Sequence, residues 1–301
     1  MRFHQFDLNL LVYLDALLSE MSVSKAAARV SITQPATSEA LARLREYFKD
    51  DLLVHVAGRS MILTPLAQSL INPVREILLR AQSVAAARMD FVPAKSDRKI
   101  SIMASDYVFD VILKKVLVCL YCEAPGVRLE VRRHAMDGRE QIKRSDLDLL
   151  VGPLGYISEE LPFERLFEDP LTCVVWSGNK LVGEKISFEQ YMDPGHICSI
   201  TEGHIPVYDE WFRERFGSKR KVEVAAPDHG YALRGIEGTN RIATVPRRHA
   251  RMYARQFSLR LLDPPIEFPP LTEYLQWHRH QERDPGLVWF RNLIKTVAAA
   301  T

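Results

Sequence analysis

Two sets of side chains in this chain have the types and spacing for chemistry. The first is Gln34, Pro35 and Ser38, followed by Arg43, Arg45 and, in a later turn, Arg59. A side-chain amide can pair with adenine edges, and arginines hold guanine or phosphate, so this set suits the major groove of duplex DNA. It equally suits a plain amphipathic helix with a small, polar solvent face. The second set is Ser105, Tyr107, Phe109, Pro153, Thr201 and His204. Ser105, Pro153, Thr201 and His204 lie just beyond expected strands, where open α/β sheets bind ligands, and Tyr107 and Phe109 would be walls. Singly, Ser105 reads as a helix cap and His204 as a turn residue. Together they outline a cleft.

The stretch Asp7–Phe48 must position the first set, and it reads as three helical patterns with two short breaks. Ser24 stands where an N-cap belongs, ahead of a short helix Lys25–Val30 whose Ala26-Ala27-Ala28 admits a close neighbour. Thr33 caps a third helix, and Pro35 falls in its first turn, where a missing N–H costs little. At about 100° per residue, Ala36, Ala40, Leu41, Leu44, Tyr47 and Phe48 share its inner side. Pro35, Ser38, Glu39, Ala42 and Glu46 lie opposite, with Arg43 and Arg45 on the flanks.

Leu52-Leu53-Val54 and Met61-Ile62-Leu63 read as a hairpin, a wing whose Arg59 either enters a minor groove or stays a solvated turn residue. Thr64-Pro65 then starts a long helix reaching about Ala87. Its Leu70, Val74, Ile77, Ala81 and Val84 are spaced four, three, four and three apart, a coiled-coil seam that implies a partner helix. Pro73 should kink that helix or mark its effective start. Residues 89–98 read as a hinge.

From Lys99 onward strands alternate with helices, an α/β pattern. Expected strands are Lys99–Met103, Val127–Arg132, Leu147–Val151, Leu171–Trp176, Ile197–Ile200, Val222–Ala225, Ile242–Val245 and Tyr274–Trp277. Expected helices are Phe109–Cys122, Gly138–Lys143, Phe188–Met192, Val207–Phe216, Tyr231–Glu237, Arg247–Tyr253 and Leu287–Val297. Pro264-Pro265 and Pro269-Pro270 fix an extended crossing.

Leu8-Asn9-Leu10-Leu11, Ala26-Ala27 and above all Thr33-Gln34-Pro35-Ala36-Thr37-Ser38, followed by Leu41 and Leu44, resemble the LysR-type transcriptional regulators. Asp7-Leu8-Asn9-Leu10-Leu11-Val12 and Leu14-Asp15-Ala16-Leu17 most resemble the branch of the nodulation and naphthalene/salicylate regulators. Many members carry arginine directly after the motif serine, where this chain has Glu39. Leu147-Asp148-Leu149-Leu150-Val151-Gly152, Trp277-His278 with Trp289, and Gly203-His204 resemble later family patterns.

The resemblance implies an all-α winged helix-turn-helix DNA-binding domain over 1–64, a linker and dimerisation helix over 65–88 and a hinge over 89–98. It implies an α/β effector domain over 99–301 like a periplasmic binding protein, with lobe I at about 99–166 and 266–301 and lobe II at about 167–265. The implied partners are promoter DNA with dyad symmetry, a small aromatic acid or phenol, and other copies of the chain as homodimer or homotetramer. No cofactor or metal is expected, and localisation would be cytoplasmic.

Composition agrees with a soluble globular chain: 301 residues, 47% apolar and 26% charged. The first 60 residues carry seven basic and seven acidic side chains, which argues against a strong sequence-independent grip on phosphate. No apolar run approaches the about 20 residues of a membrane span, and Met-Arg-Phe-His-Gln-Phe-Asp lacks a signal peptide's apolar core. Cys119, Cys122, Cys173 and Cys198 form no zinc pattern and read as buried thiols, a redox sensor being the alternative. No Gly-x-Ser-x-Gly elbow, phosphate loop or paired metal motif points to an enzyme. The rival to an effector-gated regulator is a DNA-binding regulator without a ligand.

Overall fold

The computed structural model describes residues 6–55, 61–86, 91–200, 206–217 and 220–301, and of residues 82, 83, 85 and 86 the backbone alone. The chain forms two units, residues 1–89 and 90–301.

The first unit contains α1 (Leu10–Glu20), α2 (Val23–Arg29), α3 (Gln34–Phe48), β1 (Leu53–His55), β2 (Met61–Leu63) and α4 (Pro65–Ala86). Met21 closes α1 in the left-handed region, φ 46°. Ser22, not Ser24, then caps α2: its backbone is extended and its hydroxyl accepts from Lys25 N. Thr33 caps α3 by accepting from Ala36 N, with Pro35 in the first turn. Leu14, Leu17 and Leu44 are fully buried in the shared core, each stabilising the unit by about 1.5–3 kcal/mol. Ala26, at 0% exposure, allows close packing of α2. The strands pair antiparallel, Leu53 opposite Leu63, as a hairpin whose tip, with Arg59, lies outside the described residues.

Thr64 caps α4 by accepting from Ala67 N, and the helix runs continuously through Pro73. Its expected seam divides. Leu70 and Val74 pack into the unit's own core, while Ile77, at 47% exposure, Ala81 and Val84, at 72%, face solvent. Buried Arg75 fastens the packed half to α1, donating from Nε to Asp15 Oδ1 at 2.9 Å and from Nη2 to Ser19 Oγ at 2.7 Å.

The second unit begins with β3 (Lys99–Met103), followed by α5 (Asp106–Val108), a π-turn at Phe109–Leu113 and α6 (Lys114–Glu123). β4 (Arg128–Arg132), α7 (Gly138–Lys143), β5 (Leu149–Gly152) and β6 (Phe163–Asp169) complete the first passage through lobe I. Lobe II holds β7 (Leu171–Trp176), α8 (Phe188–Met192), β8 (His196–Ser199), α9 (Val207–Phe216), β9 (Val222–Ala226), α10 (His229–Gly235), β10 (Ile242–Pro246), α11 (Arg247–Ala254) and β11 (Leu259–Leu262). The chain returns to lobe I as β12 (Leu271–Trp277) and α12 (Pro285–Ala299).

Each lobe is built on a five-stranded sheet, β4-β3-β5-β12-β6 in lobe I and β11-β7-β10-β8-β9 in lobe II. β3 runs parallel to β4 and β5, and β8 runs parallel to β9 and β10. β12 inserts antiparallel between β5 and β6. The proline pairs lie in the irregular segment between β11 and β12, where the chain changes sheet. Strands β6 and β11 fall where none was expected: the charges in Phe163-Glu164-Arg165-Leu166-Phe167-Glu168-Asp169 suit an edge strand, exposed along one side. Trp277 and Trp289 are structural, Trp277 lying under the Arg291 guanidinium at 4.1 Å and Trp289 against Phe91.

Candidate functional site

On α3 the inner stripe is Thr37, Ala40, Leu41 and Leu44. Ala36, expected inside, is exposed, and Thr37 takes its place, its hydroxyl donating to Thr33 O at 3.2 Å. Thr37, Leu41 and Leu44 are four and three apart, so the long leucines fix which way the first turn faces. Gln34, Pro35, Ser38, Glu39, Ala42 and Arg43 are left exposed. The first turn carries no acidic residue, so the positive end of the helix dipole is uncompensated beside Gln34 and suits a phosphate.

The arginines differ. Arg43, half-exposed, reaches Asp7 at 3.3 Å, an ion pair that water weakens. Arg45 donates from Nε to Asp51 O at 2.7 Å and from Nη2 to Leu53 O at 2.8 Å, so it ties α3 to the hairpin. Arg45, expected to position the DNA backbone, is thus engaged within its own unit.

In the second unit a cleft lies between the lobes. Lobe I contributes Ser105 after β3, Arg133 and His134 after β4, Pro153 after β5 and Glu273 on β12. Lobe II contributes Ser199 at the end of β8, Tyr208 in the first turn of α9, and Asp228 and His229 at the start of α10. Carboxyl ends of parallel strands and helix N-termini thus converge from both sheets. The His134 and Tyr156 rings pack at 4.5 Å on one wall. Arg133 spans the rim to Asp228 at 2.8 Å.

Glu273 is 2% exposed, and its Oε2 has no hydrogen-bond partner. Burial pushes its carboxyl up to about 8, so it is largely protonated at neutral pH and can donate a hydrogen bond into the cleft. Asp106 does the reverse. Burial works to raise it, but His229, His249 and Gly230 N–H outweigh burial and hold it well below the usual carboxylate range. It accepts from Gly230 N at 2.7 Å and so caps α10 across the lobe boundary. A Cβ at Gly230 would come within 2.5 Å of Tyr253 Oη, so any other residue there must displace that hydroxyl. One donor atom each from Asp106, His229 and His249 lie within 4.8 Å of one another.

Of the residues expected here, Ser105 and Pro153 line the cleft, Ser105 also capping α5 by accepting from Val108 N. Tyr107 and Phe109 are not among its walls. Tyr107 is fully buried and its hydroxyl donates to Asp169 Oδ2 at 2.8 Å, and Phe109 packs into the lobe I core. The helix that Ser105 caps turns both inward. Thr201 and His204 lie outside the described residues. Cys122, expected buried, is exposed, while Cys173 and Cys198 are buried.

Arg133, His134 and Asp228 follow expected strands and could have been found by the rule that picked Ser105; Glu273 falls one residue before the strand expected at Tyr274 and carries no local signal. Behind Tyr208, Asp209 pairs with Arg220, whose side chain is 2% exposed. Arg220 Nη1 also donates to Tyr191 Oη at 2.9 Å and Thr244 Oγ1 at 2.8 Å. His196 joins them, burial first and Arg220 second pushing its imidazole down to about 3, so it stays neutral.

Two family models match this chain. The model for a bacterial regulatory helix-turn-helix protein, lysR family, matches residues 8–68, and the LysR substrate binding domain model matches residues 94–299. Among curated relatives, nodulation protein D 1 of Rhizobium tropici is 38% identical over 98% of this chain and 96% of its own length. Nodulation protein D 2 of the same organism is 39% identical over 98% of this chain and 93% of its own. The solved structure of a probable transcriptional regulator, PA0477 from Pseudomonas aeruginosa, superposes with TM-score 0.67 at 28% identity over 98% of each chain.

Proposed function

The chain belongs to the LysR family of transcriptional regulators, and on that premise we propose that it reads promoter DNA with α3 and is gated by a small aromatic or phenolic effector held between its lobes. Its relatives are regulators rather than enzymes. On this reading residues 1–64 are the winged DNA-binding domain, 65–88 the dimerising linker, 89–98 the hinge and 99–301 the effector domain. Gln34 and Ser38 face base edges and Arg43 holds the backbone, while Arg59 reaches the adjacent groove from the wing.

The observation that carries the effector reading is Glu273. A protonated carboxyl with a bare oxygen, beside the His134 and Tyr156 rings, complements a flat molecule with neutral hydroxyl or ketone groups. Thr201 and His204 would close the same cleft. Burial raises the thiols of Cys173 and Cys198 to about 12 and about 11, which disfavours thiolate chemistry and the redox alternative. The exposed Ile77 and Val84 supply the half of α4 that a second copy would cover.

A thermal-shift screen of aromatic acids, phenols and flavonoids tests the effector. A true ligand at a hundredfold its Kd stabilises the fold by about 2.7 kcal/mol, and Ser105→Ala or His204→Ala should weaken that shift while leaving ligand-free DNA binding unchanged. A panel without a single stabilising compound would leave the ligand-free regulator as the reading. Sedimentation of Ile77→Glu tests assembly, an unchanged mass removing α4 from the interface.

A further inference from the structure

The geometry points to a divalent transition-metal site, best suited to Zn²⁺, formed by Asp106 of lobe I and His229 and His249 of lobe II. One donor atom from each lies within 4.8 Å of the others, so side-chain rotations that bring them to the about 3.3 Å spacing of a tetrahedral shell would let them share one ion. Two imidazoles and a carboxylate are the ligand set that borderline metals such as zinc, cobalt and nickel prefer.

The surroundings match metal-bound histidine. His249 is fully buried, and its Nε2 lies 3.0 Å from Asp110 Oδ2, so the carboxylate holds the Nε2–H tautomer. The other nitrogen, Nδ1, has no hydrogen-bond partner. A carboxylate behind one ring nitrogen is how proteins orient a histidine ligand and raise its basicity. His229 is held in a related way, with Nε2 at 3.3 Å from the Tyr208 hydroxyl and Nδ1 turned to Asp106 Oδ1 at 3.6 Å.

Charge balance argues the same way. Among the described residues neither Asp106 nor Asp110 pairs with a lysine or arginine, so two carboxylates face two imidazoles with no fixed cation. A divalent ion would neutralise them and join the lobes, because Asp106 and Asp110 precede α6 whereas His229 and His249 open α10 and lie in α11. Asp106 and His229 also line the cleft, which can supply water as a further ligand.

The site does not depend on the effector reading, and its test uses neither effector nor DNA. Tag-free full-length protein, stripped with chelator, is titrated with Co²⁺ as the spectroscopic probe and then with Zn²⁺ in competition. The expected result is one Co²⁺ per chain, with visible bands of nitrogen and oxygen ligation and no thiolate charge-transfer band, displaced by stoichiometric Zn²⁺. Asp110→Asn should weaken Co²⁺ by about 10–100-fold through the orienting bond. His229→Gln and Asp106→Asn should weaken it further. Zn²⁺ should raise the melting temperature of the parent but not of His229→Gln, which remains informative if His249 variants fail to fold. The proposal is overturned if the stripped parent binds no Co²⁺, if a thiolate band appears, or if His229→Gln and Asp106→Asn bind as tightly as the parent.

Discussion

The outer face of α3 and the cleft between the lobes both offer polar groups to a partner, but they hold them by opposite means. Gln34 and Ser38 stand in solvent one turn apart on a single helix, whose other side is fixed by Thr37, Leu41 and Leu44. Their desolvation is deferred until something binds. Glu273, Asp106 and His229 are withdrawn from water to differing degrees, and each comes from a different strand or helix. There the cost falls on folding, so each group must be bonded or held neutral in advance. Substitutions on the face should therefore change binding and spare stability, whereas substitutions at the cleft should change both.

The strongest test of that contrast lies behind the cleft wall. Asp209→Ala leaves the Arg220 guanidinium buried without its partner and should cost about 3–5 kcal/mol in urea unfolding of the full chain. A loss no larger than that of a surface variant would erase the distinction. Glu273 gives the next effect and a sign. Its folded value of about 8 lies above the ordinary 4.5, so the stability from the neutral carboxyl is complete below about pH 4.5 and fades as pH rises to about 8. Glu273→Gln cannot ionise and should gain on the parent by a few kcal/mol on the alkaline side, flattening the slope. Parallel slopes for the two proteins would mean that Glu273 is not held neutral.

On α3 the effects move from folding to recognition. Gln34→Ala should cost about 1–3 kcal/mol at one base position in a binding-site selection, with unfolding unchanged. An unaltered base preference would place Gln34 away from the bases. Arg43→Gln is expected to be the mildest: below about 1 kcal/mol in stability, with the logarithmic salt slope of DNA binding shallower by about one unit. If its main effect were on folding, the exposed face would not be independent of the core.

What could be anticipated from the residues follows the same divide. Thr33, Pro35 and the leucine spacing act within a few positions, so the cap and the face of α3 carry local signals; the expectation fails at its ends, where Thr37 replaces Ala36 inside and Tyr47, at 52% exposure, faces solvent, because packing there depends on neighbouring helices. Ser22 displaced Ser24 because a left-handed Met21 shifted the start of α2. Tyr107 reads as a cleft wall, but its partner is Asp169, 62 positions away, and no local pattern announces that bond. The cleft draws on β3, β4, β5, β8, β12, α9 and α10, so its membership is a property of sheet order. The neutrality of Glu273 depends on burial alone, which no spacing records.

The sheet order of lobe I also sets a timetable. β12 lies between β5 and β6, yet about 100 residues separate Asp169 from Leu271, and all of lobe II is spelled between them. On a ribosome adding about 5–20 residues per second, the strand that joins β5 to β6 arrives some 5–20 s after β6. Lobe II, continuous in sequence, can close as it emerges. Lobe I must wait with two open edges, each a template for pairing with a foreign strand. The nascent chain thus carries a finished lobe beside an unfinished one, and the interval before β12 is when it is most exposed to aggregation.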